Sequence, residues 1–561
     1  MEPIEVKRIL TYSSVFGDNE ESLNDLLEKL PTESSVQLAS YLLIQKSTLK
    51  INEDEHRLFY QMFPFMDSEL SIALCNYINN QNSNLFEFID KVALHILIDK
   101  LLAHQNKWKC KVSDNPHLFS TFIKAYLMCC DIHLNSIGDN IPTGLSEDDF
   151  IKIFICETLK YHDLDYFKDY RYEMMKLCYF FDFMQTSDQY KSWLNLFLKA
   201  RGIIRWDHYP LFLIQHFMPL ILHEKGATCT FSLESTDYYA YSLIESMVVS
   251  DSSYSESKDL NGLRSFPLYK IDECTFIVMS INFFIDKFFQ SFIFDFAKVL
   301  SAHNTLTGIR GYNQLKAWIG SEFIEREFFY KILKGCFPHY KISTGSELHN
   351  VLGSGEPDAM IRKGSKIFIF EFKDILLDAT TKHCGDFEKI FSELKEQFVL
   401  STKDKQTGKL KKKPRDKGIR QLLNVISEKL PGIIQNVTST SGFTIYPVIV
   451  YTDRSFGIEG INNFLNCEFS DQKKSYEISP EFTIKPLVLV PLEELTMLED
   501  YFKSNRLLLP ELVEMYYKED SMLSFQKFMM REAIKKGYHH EMTDRFRRLY
   551  NSLKKDQLSF E

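Results

Sequence analysis

Residues 356–373 read EPDAMIRKGSKIFIFEFK and carry two carboxylates and an amine in an order that suits phosphodiester chemistry. Pro357-Asp358 opens the stretch and Glu371-Phe372-Lys373 closes it. Between them lie two apolar, β-prone runs, Ala359-Met360-Ile361 and Ile367-Phe368-Ile369-Phe370. Gly364-Ser365 between the runs suits a two-residue hairpin loop of the Gly-X type. With that loop, Lys363 pairs with Lys366, Arg362 faces Ile367, Met360 faces Ile369 and Asp358 faces Glu371. Directly opposed residues of an antiparallel pair have Cβ atoms about 5 Å apart, and side chains two apart share a face. Glu371 and Lys373 therefore point the same way, toward Asp358. Two acids that close repel unless a cation lies between them. Ligation by carboxylate oxygens suits Mg²⁺ or Mn²⁺ rather than zinc. Such a set is what a Mg²⁺-dependent phosphodiesterase needs.

An acid, a spacer and a lysine also occur at Glu5-Val6-Lys7, Glu256-Ser257-Lys258, Glu393-Leu394-Lys395 and Asp471-Gln472-Lys473. Three features set the 356–373 stretch apart. Pro357-Asp358 is the only Pro-Asp dipeptide in the chain. Only Glu371-Phe372-Lys373 ends a strongly alternating strand, and the turn fixes a register that brings the acids together. Ion pairing on a solvated sheet face would also join Glu371 to Lys373, but would not bring Asp358 opposite them.

The chain around this stretch has 561 residues, too many for one core, so two to four domains are expected. With 47 Phe and 28 Tyr the cores should be aromatic-rich, and 22 Gly with 17 Pro favours long helices over a turn-rich β architecture. A net charge of −10 disfavours a nucleic-acid surface over the whole protein but allows a local basic stripe. The eleven cysteines include no Cys-x-x-Cys pattern, which implies reduced cytoplasmic thiols and excludes a disulfide framework or a cysteine zinc site. The first sixteen residues have early acids and no apolar core, unlike a signal peptide. The run Pro210 to Leu222 falls short of the about 20 apolar residues a membrane span needs, and reads as a buried helix. No membrane association is expected. No P-loop motif occurs, which excludes an ATP-driven translocase within the chain. His339, His349 and His383 flank the motif without a fixed convergence, and His539-His540-Glu541 reads as surface.

Four segments follow from the patterning. Residues 1–200 read as a helical domain, with helical spacing at 22–30, 85–102 and 166–193. Residues 201–305 form a mixed α/β connecting region. It contains a polar linker over 250–258, a hairpin about Ile271-Asp272-Glu273-Cys274, and an aromatic helix over 282–300. Residues 306–510 alternate helix and strand. Helices are expected over 319–333, 386–400, 418–430 and 492–503. Strands are expected over 340–343, within the hairpin, and over 444–452 and 484–490. Pro447 argues for an edge or bulged position in its strand. A charged loop fills 403–417, and residues 511–561 form a C-terminal helical extension.

The order of helix, antiparallel strands, helices and strand is that of an α/β sandwich with the hairpin at its centre. With Pro357-Asp358 and Glu371-Phe372-Lys373, residues 310–500 resemble the PD-(D/E)XK nuclease superfamily and its restriction-endonuclease-like fold. The implied fold class is multidomain: a large, mostly α-helical N-terminal region and a C-terminal α/β domain whose central mixed sheet is flanked by helices. The resemblance also implies a glutamate from the upstream helix. Glu325, after Ile324 and before Phe328 and Phe329, fits that pattern best, with Glu322 as fallback and Glu327 as the third choice. It further implies a glutamine on the helix after the strands, where Gln421 stands and where an amide can bond a phosphate oxygen or a water.

The stretch from Lys403 to Lys417 has eight basic residues against two acidic ones. Lys409, Lys411, Lys412, Lys413, Arg415, Lys417 and the nearby Arg420 would track a phosphate backbone. Asp358, Glu371 and the Phe372 carbonyl would hold Mg²⁺, or Mn²⁺, with Glu325 on the same ion through water or on a second one, and Lys373 would orient or help deprotonate a water and offset charge on the phosphate. The expected activity is a metal-dependent nuclease, on DNA rather than RNA, in prokaryotic phage defence or restriction. A repair or recombination nuclease, and a non-catalytic nucleic-acid-binding scaffold that keeps the fold, are the alternatives. The helical N-terminal region would serve a protein partner or a homo-oligomer.

Overall fold

The structure is a computed structural model that describes residues 8–17, 21–48, 52–80, 86–138, 147–165, 168–221, 228–234, 236–250, 254–257, 259–353, 355–403, 410–434, 442–519, 522–539 and 544–558. By its packing the chain divides into two units. The first comprises Met1–Ile141 and Asp163–Tyr312, and the second comprises Pro142–His162 and Asn313–Glu561. No helix among the described residues is long and apolar enough to cross a membrane.

The first unit is mainly helical, as its 3.6-residue patterning requires. Three details differ from the sequence expectation. The helical spacing over 166–193 belongs to two helices, Tyr170–Met184 and Asp188–Ala200. The helix expected over 85–102 begins only at Lys91, because Phe86–Glu87 is a short strand and the Asp90 carboxylate caps the helix by accepting from the Ala93 N–H. The aromatic helix over 282–300 is two helices, Ile281–Asp286 and Gln290–Ala302. Phe289 between them has φ −141° and ψ −55°, outside helical geometry. The hairpin about 271–274 is present, Leu268–Lys270 against Thr275–Val278, and Thr230–Ser232 completes a three-stranded sheet. The apolar run near 210–222 is the helix His208–Ile221.

The second unit is built on a six-stranded mixed sheet. Its elements are α1 (Glu147–Asp165), α2 (Ile319–Phe329), α3 (Tyr330–Cys336), β1 (Lys341–Thr344), α4 (Gly345–Leu352), β2 (Ala359–Lys363), β3 (Lys366–Lys373) and α5 (Phe387–Phe398). The chain continues through β4 (Leu400–Lys403), β5 (Leu410–Asp416), α6 (Gly418–Asn424), β6 (Phe443–Tyr451), α7 (Ile461–Lys473), β7 (Phe482–Ile484) and β8 (Val488–Pro491). Helices Leu492–Met497, Glu499–Lys503, Leu509–Lys518, Phe525–Lys535 and Asp544–Leu558 follow. The sheet order is β7-β6-β3-β2-β1, with β8 also beside β6. β1, β2 and β3 are antiparallel, and β3, β6, β7 and β8 are parallel.

β6 is an interior strand, contrary to the edge position argued from Pro447, since it pairs with β3 on one side and with β7 and β8 on the other. The Thr444 N–H donates to the Ser365 carbonyl on the β3 side. By strand alternation the position of Pro447 would aim its missing N–H at the opposite side. There β7 has ended opposite Ile445 and β8 begins opposite Val448, so no ladder bond is lost. The strand expected over 484–490 is split at this same gap.

The core under one face of the sheet joins Met360, Ile367, Ile369, Ile445 and Ile449 to Ile390 and Leu394 of α5 and to Ile419, Leu422 and Leu423 of α6. Ile155, Cys156 and Leu159 of α1 belong to this core as well. The sequence assigned them to the helical region 1–200. A Cβ at Gly460, whose φ is +87°, would lie 3.0 Å from Ile151 and from Ile155, so α1 is packed against the turn that starts α7. The helix loses regular geometry at Tyr161, just before the chain returns to the first unit.

Ile155→Ala is expected to cost about 2–5 kcal/mol by opening a cavity in this core. The measurements are the urea midpoint of the full chain and amide exchange over Gly418–Asn424, which should quicken. An unchanged midpoint with unchanged exchange would contradict this account of α1.

Candidate active site

Gly364 has φ +61° and Ser365 is not in the left-handed region, so the β2–β3 turn is of the expected Gly-X kind. The register is Lys363 with Lys366, Arg362 with Ile367, Met360 with Ile369 and Ala359 with Phe370. Asp358 lies one residue before β2, and the next step of the ladder sets it against Glu371. A tight two-residue turn makes Lys363 and Lys366 a hydrogen-bonded pair, and alternation makes Asp358 and Glu371 a non-bonded pair, whose side chains stand closer. The Phe372 N–H donates to Asp358 Oδ2 at 2.6 Å, which fixes that carboxylate at the strand end. One further step brings Pro357 opposite Phe372. Proline has no N–H to offer the Phe372 carbonyl.

Glu371 is 3% exposed in its strand and Lys373 emerges on the same face. Lys373 Nζ donates to Glu371 Oε1 at 2.6 Å and to Gln421 Oε1 at 3.1 Å. Gln421 reaches it from the first turn of α6. That helix starts close in, because Gly418 has no side chain: a Cβ there would stand 2.9 Å from the Phe398 carbonyl and 3.4 Å from Lys373 Cε.

Glu325 comes from α2, which is wound as a π-helix, a form that often marks functional sites. Phe329 of α2 stacks on Phe372 at 5.1 Å and contacts Phe370, seating the helix on the sheet face opposite Ile367 and Ile369. Burial raises the pKa of the half-buried Glu325, and the charge of Glu371 raises it further. Burial, then Glu371, then Glu325 push Asp358 well above the usual carboxylate range. The three acids therefore share one electrostatic site. Of the other candidates on this helix, Glu322 is paired with Arg326 at 3.0 Å and Glu327 is exposed.

Within the region expected to be a charged loop, β5 pairs with β4 as a two-stranded ribbon, and residues 404–409 lie outside the described residues. Lys412, Lys413 and Arg415 are exposed on it, and Lys417 leads from it into α6. Lys411 donates to Ser401 at 2.7 Å, while Arg420 donates to Gln472 at 2.9 Å and pairs with Asp416. Lys409 lies outside the described residues. Of the flanking histidines, His349 pairs with Glu356 and the His383 ring meets Tyr161. His539 is exposed, and His540 and Glu541 lie outside the described residues.

Two residues at the site were not singled out in the sequence. Asp374, directly after Lys373, accepts from Thr452 Oγ1 at 2.6 Å and pairs with Lys316, joining the ends of β3 and β6 to the segment that leads into α2. Its Oδ2 would lie 2.8 Å from a Cβ at Gly320, so any larger residue there would displace this carboxylate. Tyr330 receives the Gly345 N–H at 3.2 Å, and the same N–H reaches the Asp358 carbonyl at 2.7 Å. Asp374 was visible as an acid beside the motif, but its partners stand 58 and 78 residues away and leave no local signal.

The donors suit a hard divalent cation, being oxygen only. Among the described residues, no group of three or more His, Cys, Asp and Glu side chains converges as a ready ligand shell. The fit is electrostatic: burial first, and then the charges of Glu371 and Glu325, raise Asp358, and a cation among the three carboxylates would relieve the repulsive part. No protein-family model, curated protein or solved structure matches this chain.

The Asp358 pKa is raised in the folded chain, so its contribution to stability is complete below the ordinary carboxylate range and is lost as pH rises toward the folded value. Asp358→Asn keeps an acceptor for the Phe372 N–H and removes the charge. In chelator, the variant is expected to melt higher than the parent at neutral pH, with the difference vanishing below about pH 4. A variant that melts lower than the parent at neutral pH would contradict this.

Proposed function

We propose that the second unit is a Mg²⁺-dependent nuclease of the PD-(D/E)XK kind, acting on DNA in the cytoplasm, with restriction or phage defence as its setting. The observation that carries this is the meeting of Asp358, Glu371, Lys373 and Gln421 at one end of the β2–β3 hairpin. The mixed sheet with helices on it, and the absence of a membrane-spanning helix among the described residues, agree with the proposal.

Asp358, Glu371 and the Phe372 carbonyl, with Glu325 beside them, would hold the cation. When bound, Mg²⁺ would supply a water of lowered pKa and offset charge on the scissile phosphate. The chain's own groups prepare that step. The Phe372 N–H orients Asp358, leaving its other oxygen for a ligand. Lys373 has three N–H donors, and two are used by Glu371 and Gln421. The third is left for a phosphate oxygen or the attacking water. Gln421 thus positions the lysine through its amide oxygen, and its NH2 group would be left to donate to a phosphate oxygen or a water. Lys373, held by Glu371, would oppose the charge that develops on phosphorus-bound oxygens.

Purified full-length protein is expected to cut plasmid DNA with Mg²⁺ and not with EDTA. Asp358→Ala and Lys373→Ala should each abolish cutting without loss of fold by circular dichroism. Cleavage at the parent's rate by either variant would sink this assignment.

A further inference from the structure

The β4–β5 ribbon stands apart from the six-stranded sheet as a sheet of its own. Its register pairs Leu410 with Lys403 and Arg415 with Ser401, so residues 411–414 oppose the single residue Thr402. Such a bulge bends its strand and increases local twist, and Pro414 within it needs no ladder bond. Lys412, Lys413 and Arg415 are exposed and enter no ion pair among the described residues. The root of the ribbon lies beside the site. The Lys417 N–H donates to the Val399 carbonyl at 3.0 Å, and the next residue, Gly418, starts the helix whose Gln421 holds Lys373.

Residues 400–417 contain no aromatic side chain. Proteins that hold single strands stack bases on aromatic rings, and this ribbon offers none. Its groups are cationic and long, as contacts to phosphates require. A two-stranded ribbon fits the major groove of B-form DNA, whereas the deep, narrow major groove of A-form RNA excludes it.

We propose that the β4–β5 ribbon grips duplex DNA through Lys412, Lys413 and Arg415, so that the substrate of the neighbouring site is double-stranded. This rests on the nuclease reading for the site but not for the binding. The test is anisotropy of the full-length protein in EDTA with a labelled duplex, its single strand and the matching duplex RNA, over a range of salt. The parent should prefer duplex DNA. The combined variant Lys412→Gln, Lys413→Gln, Arg415→Gln should bind it about tenfold or more weakly, with a salt slope lower by about 2 to 3. Its melting temperature should match the parent's, and its residual single-strand binding should be nearly unchanged. Equal loss on single strand and duplex, or no loss on duplex, would overturn the proposal. If the ribbon variant loses duplex binding but the parent does not cut with Mg²⁺, the nuclease reading fails and the grip stands. If the parent cuts and the variant binds as well as the parent, the reverse holds.

Discussion

The two-residue turn at Gly364-Ser365 sets the register on which the proposed site depends. A one-residue slip would turn every side chain of β3 to the other face. Glu371 and Lys373 would then leave α6, and Ile367 and Ile369 would leave the core they share with α5 and α6. Core packing and site geometry thus demand the same register. The apolar half of β3 supplies the burial that holds it, and the polar end takes its position from that burial.

At that polar end the balance of charge decides what the site can do. Asp358, Glu371 and Glu325 bring three acids to the end of the sheet, and Lys373 answers only one of them directly. Ionised carboxylates close together in a partly buried place are costly unless a cation joins them. The chain tolerates the arrangement because Glu371 is tied to Lys373 and Asp358 accepts the Phe372 N–H. Around them, Asp374 fastens the strand ends to the segment before α2, and Gly320 and Gly418 let two helices come close.

Much of this was legible in the sequence because it is local. The turn, the alternation of β3 and the positions of Asp358, Glu371 and Lys373 lie within one hairpin, and counting from the loop recovers the observed pairs. Glu325 and Gln421 were placed by resemblance, and the structure sets Gln421 on Lys373 and puts Glu325 within the electrostatic reach of Glu371. What was not legible depends on long-range packing. Helix α1 reads like its helical neighbours, and only its partners in the core assign it to the second unit. The basic stretch looked like a loop because charge hides weak strand pairing, and Pro447 looked like an edge marker because the gap between β7 and β8 has no signature in β6 itself.

On the proposed reading, Asp358 and its neighbours form a site for one divalent cation. Binding of Mn²⁺ to the full-length protein, followed by its electron paramagnetic resonance signal, tests this most directly. One site is expected in the parent with oxygen-only ligation, displaced by Mg²⁺ and lost in Asp358→Asn. Equal Mn²⁺ binding by the parent and Asp358→Asn would contradict it.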